Sequence, residues 1–162
     1  MRILRLLALL ALACAPAAAR AQDTPPPPQM PSAQLPPEVE RVLRDYERFW
    51  RAGDEASLAN LFAEDGFILQ NGQPPVRGRG AIRQAYADSD GPLRLRALDY
   101  ATADSVGWII GAFGFGEGDA DMGKFVLALR RSPGGPWEIA ADIDNMSSMP
   151  RRPPGPPPPS RD

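Results

Sequence analysis

Histidine is absent from the chain, and cysteine and lysine occur once each. Without imidazole, a Ser-His-Asp or Cys-His catalytic arrangement cannot be assembled, nor can a zinc site of the usual nitrogen and sulfur ligands. The single cysteine, Cys14, lies inside the apolar N-terminal stretch, so the chain cannot form an internal disulfide. A basic surface is missing too. Residues 38–148 carry 12 basic and 18 acidic side chains, and an acidic domain lacks the field that draws in nucleic acid or anionic lipid headgroups. No apolar run reaches the roughly 20 residues that a membrane-spanning helix needs. Proton chemistry is left to carboxylates, tyrosines and Lys124. An ordinary aspartate titrates near about 3.9, so one acting as a base near neutrality has to be buried. The inventory points to no cofactor and to no metal. Glu117, Asp119 and Asp121 alternate in a glycine-rich turn, but an EF-hand counted from Glu117 needs a glutamate where Ala128 stands.

Proline, by contrast, is abundant, and it marks the ends. Seven prolines lie between Asp23 and Pro37 and seven more between Pro150 and Asp162. Such segments favour extended, solvated backbone and carry too little apolar surface to bury a core. Ahead of them, Arg2 and Arg5 precede the apolar run Leu6–Ala13, and Ala19-Arg20-Ala21 forms a small-residue cleavage pattern before Gln22. The expected organisation is a signal peptide over residues 1–21, a proline-rich disordered linker over 22–36, a domain over 37–148 and a proline-rich disordered tail over 149–162. The expected location is periplasmic or secreted. Lipidation at Cys14 is the rival reading, weakened because Leu12 does not stand three positions before the cysteine.

Within the domain, Val39, Val42, Leu43, Tyr46, Phe49 and Trp50 recur at three- and four-residue spacing and predict a helix, entered at Pro36-Pro37 and closed at Gly53. Asp54 is placed to cap a second helix with Leu58, Leu61 and Phe62 on one stripe and Gly66 after it. Phe67–Gln70 reads as a short strand. Ala81–Tyr86 reads as a third helix with Ile82, Ala85 and Tyr86 inward. Then come four strands, Leu93–Tyr100, Val106–Phe115, Lys124–Arg131 and Trp137–Ile143, separated by turn-rich stretches. Helices followed by an antiparallel meander predict an α+β fold. In the last strand, simple alternation puts Trp137, Ile139, Ala141 and Ile143 on one face and Asp142 and Asp144 on the other. If the acidic face lines a cavity, the two form an acid/base pair; if it meets water, they are surface charges.

Three segments resemble the SnoaL-like group, a branch of the nuclear transport factor 2-like superfamily. They are Tyr46–Asp54 with Leu58 and Leu61–Gly66, then Val76–Ile82 with its Gly-x-x-Ala-Ile entry, then Asp121–Phe125 and Trp137–Asp142 through Asn145. The resemblance implies a cone-shaped, cystatin-like roll, with three N-terminal helices packed on a curved, mostly antiparallel sheet. It also implies a homodimer through the sheet and a ligand pocket at the mouth of the cone. Ketosteroid isomerase belongs to the same superfamily. Its oxyanion-donor tyrosine falls on Tyr46, its general-base aspartate on Gln70 and its second donor acid near Gly123, so one of three roles is retained.

The candidate pocket residues are Tyr46, Trp50, Gln70, Trp108, Lys124 and Asp142, with Tyr46 and Asp142 as the candidates for catalysis. Trp50, Trp108, Phe113, Phe115 and Phe125 are the aromatics available to wall a pocket. Two functional readings follow. One is an exported module that binds a small apolar ligand or assembles with a twin. The other is a cofactor-independent acid/base enzyme, an isomerase or dehydratase in type, built on the pocket tyrosine and aspartate.

Overall fold

The computed structural model describes residues 29–116 and 120–147. The expected signal segment, residues 22–28 of the linker, Glu117 and Asp119, and the tail from 149 lie outside the described residues. Three helices, α1 (Pro37–Ala52), α2 (Glu55–Ala59) and α3 (Arg79–Ala85), pack on one curved sheet. Its strands are β1 (Phe62–Leu69), β2 (Val76–Arg77), β3 (Leu93–Ala103), β4 (Val106–Phe115), β5 (Gly123–Arg130) and β6 (Glu138–Met146). They lie in the order β2-β1-β6-β5-β4-β3, antiparallel throughout except for the β1–β6 pair. This is the expected α+β roll.

The helix signals hold locally. Gly53 takes the left-handed φ of 62° that ends α1. The Asp54 side chain accepts a 2.9 Å bond from the Ser57 N–H and so caps α2. The expected stripe of α2 overreaches, however. The helix stops at Ala59, and Phe62 opens β1, with its ring fully buried. Leu58, Leu61 and Phe62 imitate helical spacing across what is a helix–strand boundary. Ala85 faces solvent, while Ile82 and Tyr86 are buried as expected.

Two single-residue bulges shape the meander. Opposite β4, Ala97 pairs with Gly111 and Asp99 with Ile110, which leaves Leu98 as a bulge. Opposite β5, Ala141 pairs with Ala128 and Ile139 with Leu129, which leaves Ala140 as another. A bulge bends its strand and shifts the side-chain alternation by one. Past Ala140 the inward positions of β6 are therefore Asp142 and Asp144, and they share the inner face with Ile139. Ile143 is turned out and is 40 % exposed. The expected common face for Ile139, Ala141 and Ile143 is corrected by this one residue.

A reciprocal pairing accounts for two glycines. Gly111 stands opposite Phe125, and Gly123 opposite Phe113. A Cβ on either glycine would fall 2.1 Å from the facing phenyl Cζ, so each glycine supplies the floor on which a ring lies.

The outer strand β3 has no strand on its far side, and an open edge invites further pairing. Here its backbone groups are taken up. The Leu95 N–H donates to Glu47 Oε1 at 2.5 Å, and the Leu95 carbonyl accepts from Arg44 Nη2 at 2.8 Å. The Leu93 carbonyl accepts from Arg51 Nε at 2.7 Å, and the Ala97 carbonyl from the Ala33 N–H at 2.9 Å. Ala33 and Leu35 also pack against the core. Of the expected linker over 22–36, Ala33 and Leu35 thus lie against the domain, while residues 29–32 and Gln34 are exposed.

Candidate functional site

Between α1 and the inner face of the sheet lies a cavity lined by Tyr46 and Trp50 of α1, Gln70 just after β1, Leu93 and Leu95 of β3, and Phe113 and Phe115 of β4. Phe125 and Leu127 of β5 and Asp142 and Asp144 of β6 complete it. The space open to the centre of a water-sized sphere is ≈ 70 Å³, inside ≈ 470 Å³ of atom-free volume that includes the mouth. One such sphere needs about 10–15 Å³, so the inner space holds several waters or a compact organic group.

Helical spacing places Tyr46 one turn before Trp50, and their rings stack with centroids 6.3 Å apart. Trp50 Nε1 donates to the Asp90 carbonyl at 2.8 Å, which fixes the indole in the wall. Trp50 also meets Phe115 at 6.2 Å, and Phe115 meets Phe113 at 6.0 Å. Four aromatic side chains thus form one continuous wall from helix to sheet.

The inner end is polar. Tyr46 Oη donates to Asp142 Oδ2 at 3.0 Å and lies 3.0 Å from Tyr86 Oη. Asp142 is only 6 % exposed. Its carboxyl is pushed up to about 7, first by loss of hydration and then by the Asp144 charge, against hydrogen bonds from the two tyrosines. Burial also raises Asp144, although its Oδ1 accepts from the Asn71 N–H at 3.3 Å. Burial, with the Asp142 charge second, holds both phenols well above their ordinary value. At neutral pH the site therefore presents two protonated hydroxyls and a carboxyl poised between its two states.

Of the residues expected in the pocket, Tyr46, Trp50, Gln70 and Asp142 line it; Trp108 and Lys124 do not. Lys124 pairs with Ala112 and Asn145 and is exposed. Trp108 lines a shallow outer groove with Ala101–Ala103 and Val106–Gly107. The inward positions of β4 and β5 are Ile109, Gly111 and Phe113, and Gly123, Phe125 and Leu127, so strand alternation sends both expected residues outward. Phe113, Phe115 and Phe125 take their expected places in a pocket wall. Tyr86 was legible as a buried helix residue, but the approach of its hydroxyl to Tyr46 from a different helix was not. Gln70, where the resemblance puts the isomerase base, lines the cavity, while Gly123 lies beneath the Phe113 ring. The acids of this site come from β6 instead. Among the described residues, no group of three or more acidic, histidine or cysteine side chains is arranged to hold a metal ion.

No family model matches the sequence, and no curated protein does. Solved structures do. A ketosteroid isomerase-like protein from Erwinia carotovora atroseptica is 16 % identical over 68 % of this chain and 95 % of its own, with a TM-score of 0.58. A domain of unknown function with a cystatin-like fold from Nostoc punctiforme is 14 % identical over 68 % and 76 %, with a TM-score of 0.59. An NTF-2 like protein of unknown function from Shewanella oneidensis is 18 % identical over 66 % and 95 %, with a TM-score of 0.56. The chain has the cystatin-like, nuclear transport factor 2-like fold.

Proposed function

We propose that this protein is a small-molecule-binding module whose ligand sits between α1 and the sheet, its apolar body on the aromatic wall and its polar end at Tyr46 and Asp142. The observation that carries this reading is the cavity itself: an open-mouthed apolar space with polar groups converging at its inner end, the usual form of a ligand site. The volume favours a compact ligand over a steroid-sized one. A titration with cyclohexanone, a neutral apolar carbonyl, followed by tryptophan fluorescence, tests the reading because Trp50 stands in the wall. A saturable change is expected, weakened in Tyr46→Phe by about 0.5–1.5 kcal/mol, the worth of one hydrogen bond. Absence of any saturable signal would remove the pocket as a binding site, and unchanged affinity in Tyr46→Phe would remove the hydroxyl from it.

The acid/base enzyme is the second reading, favoured by one observation. A carboxyl pushed up to about 7 in a largely dehydrated site, next to a tyrosine donor, matches the proton affinity that a general base needs at neutral pH. With Gln70 at the isomerase base position, any proton transfer would fall to Asp142 or Asp144.

We further propose an exported homodimer. Export rests on the N-terminal sequence pattern. Dimerisation draws support from the outer face of the sheet, where Ile110, Val126 and Ile143 lie opposite one another on three successive strands, each 38–40 % exposed. A row of this kind marks an interaction surface on a soluble domain. No described helix is long and apolar enough to cross a membrane. Native mass spectrometry of protein purified from its own host reads both proposals together. The expected result is a dimer of unlipidated chains beginning at Gln22. A lipid on Cys14 would overturn cleavage at that site, and a monomer across micromolar concentrations would overturn the dimer.

A further inference from the structure

Two carboxylates enter the cavity, and no positive charge meets them. Arginine, lysine and histidine are absent from its lining. Among the described residues, neither Asp142 nor Asp144 takes part in an ion pair, whereas seven other acidic side chains do, Glu47 and Asp121 among them. No cation lowers the proton affinity of either carboxyl. A buried carboxylate without a counter-charge is costly, and it either takes up a proton or is met by a cation. Here the space where it would stand is the cavity, walled by the rings of Trp50, Phe113, Phe115 and Phe125.

We infer that the ligand is a small organic cation, an alkylammonium whose charge is met by Asp142 and Asp144 and whose alkyl groups lie on the aromatic wall. This rests on the proposal that the cavity is a ligand site, and it names the ligand class. Both halves of the site fit such a group. Aromatic faces attract a cation through the ring quadrupole, and the attraction is larger where water is excluded. Carboxylates at the inner end complete the charge balance. An inorganic cation is a poorer match, because calcium takes six or more oxygen ligands and most of this wall is carbon. A carboxylate or phosphate ligand would meet two like charges and no donor cation.

The test uses a pair of probes that differ in charge and hardly in shape: choline and its neutral carbon counterpart, 3,3-dimethylbutan-1-ol. Each is titrated calorimetrically into the full mature chain at pH 8, above the value of about 7 to which Asp142 is pushed. Choline is expected to bind at least tenfold more tightly, and Asp144→Asn is expected to reduce that preference several-fold. Equal affinities for the two probes would overturn the cation assignment and leave the pocket in place. A preference that survives intact in both Asp144→Asn and Asp142→Asn would also overturn it, by showing that the charge is read elsewhere. Binding of neither probe would overturn the assignment together with the pocket reading beneath it.

Discussion

Asp142→Asn is expected to be more stable than the parent protein above pH 7 and to lose that advantage near pH 4. The folded carboxyl is raised from 3.8 to about 7 by burial and by Asp144. A carboxyl raised in the folded state favours folding while it is protonated. Its contribution is complete below the unfolded value and is lost as pH rises through the folded one, so the window runs from about 4 to about 7. A tenfold change in proton affinity corresponds to about 1.4 kcal/mol, which puts the difference between variant and parent at pH 8 on the order of 4 kcal/mol. Asparagine keeps an oxygen to accept the Tyr46 hydroxyl and has the shape of the protonated acid, so little is lost at low pH. Urea unfolding from pH 4 to 9 makes the comparison. Midpoints of parent and variant that run parallel with pH would show that Asp142 is neither buried nor perturbed in solution.

The second large effect is expected at Glu47, one of two buried acids among the described residues and only 3 % exposed. Its Oε1 receives the Leu95 N–H, and its Oε2 receives Arg44 Nη1 at 2.6 Å. Glu47→Ala strands a buried backbone donor on the outer strand and frees Arg44, which also holds the Leu95 carbonyl. Arg44 is 45 % exposed and can rehydrate, so most of the loss lies with the N–H. The expected destabilisation is about 2–3 kcal/mol for Glu47→Ala, and under about 1 kcal/mol for Glu47→Gln, which retains an accepting oxygen. Denaturant midpoints at constant m-value separate the two. Equal losses in both variants would mean that the charge pair, rather than the edge hydrogen bond, is what matters. Because Leu93 and Leu95 belong to the cavity wall, loosening β3 is also expected to weaken probe binding.

The helices, the four strands of the meander and part of the expected pocket were legible because their signals are local. Val39 to Trp50 repeats at helical spacing, and Gly53 and Asp54 supply a stop and a start in adjacent positions. Phe62 was misread because a stripe of three apolar residues fits the end of a helix as well as the beginning of a strand. Glu47 carried a signal that went unread. It falls eight residues after Val39 and four after Leu43, so a charge sits squarely on the buried stripe and demands a buried partner. Trp108 and Lys124 were misplaced for a different reason. Their residue types suit a pocket, but the phase of a strand is set by which of its neighbours are buried. The meeting of Tyr46, Tyr86 and Asp142 joins three elements separated by 40 and 96 positions and leaves no trace in local spacing.

Ala140 gives the site a peculiar arithmetic. Every strand writes its side chains in a two-letter alphabet, in and out, and at the bulge Ala140 and Ala141 together fill the place of one letter. Read with the bulge, the strand spells two acids into the cavity and Ile143 out of it; read in unbroken alternation from Ile139, the same letters spell a greasy interior and an acidic exterior. The chemical identity of the pocket is thus carried as much by where β6 doubles a letter as by which residues it contains.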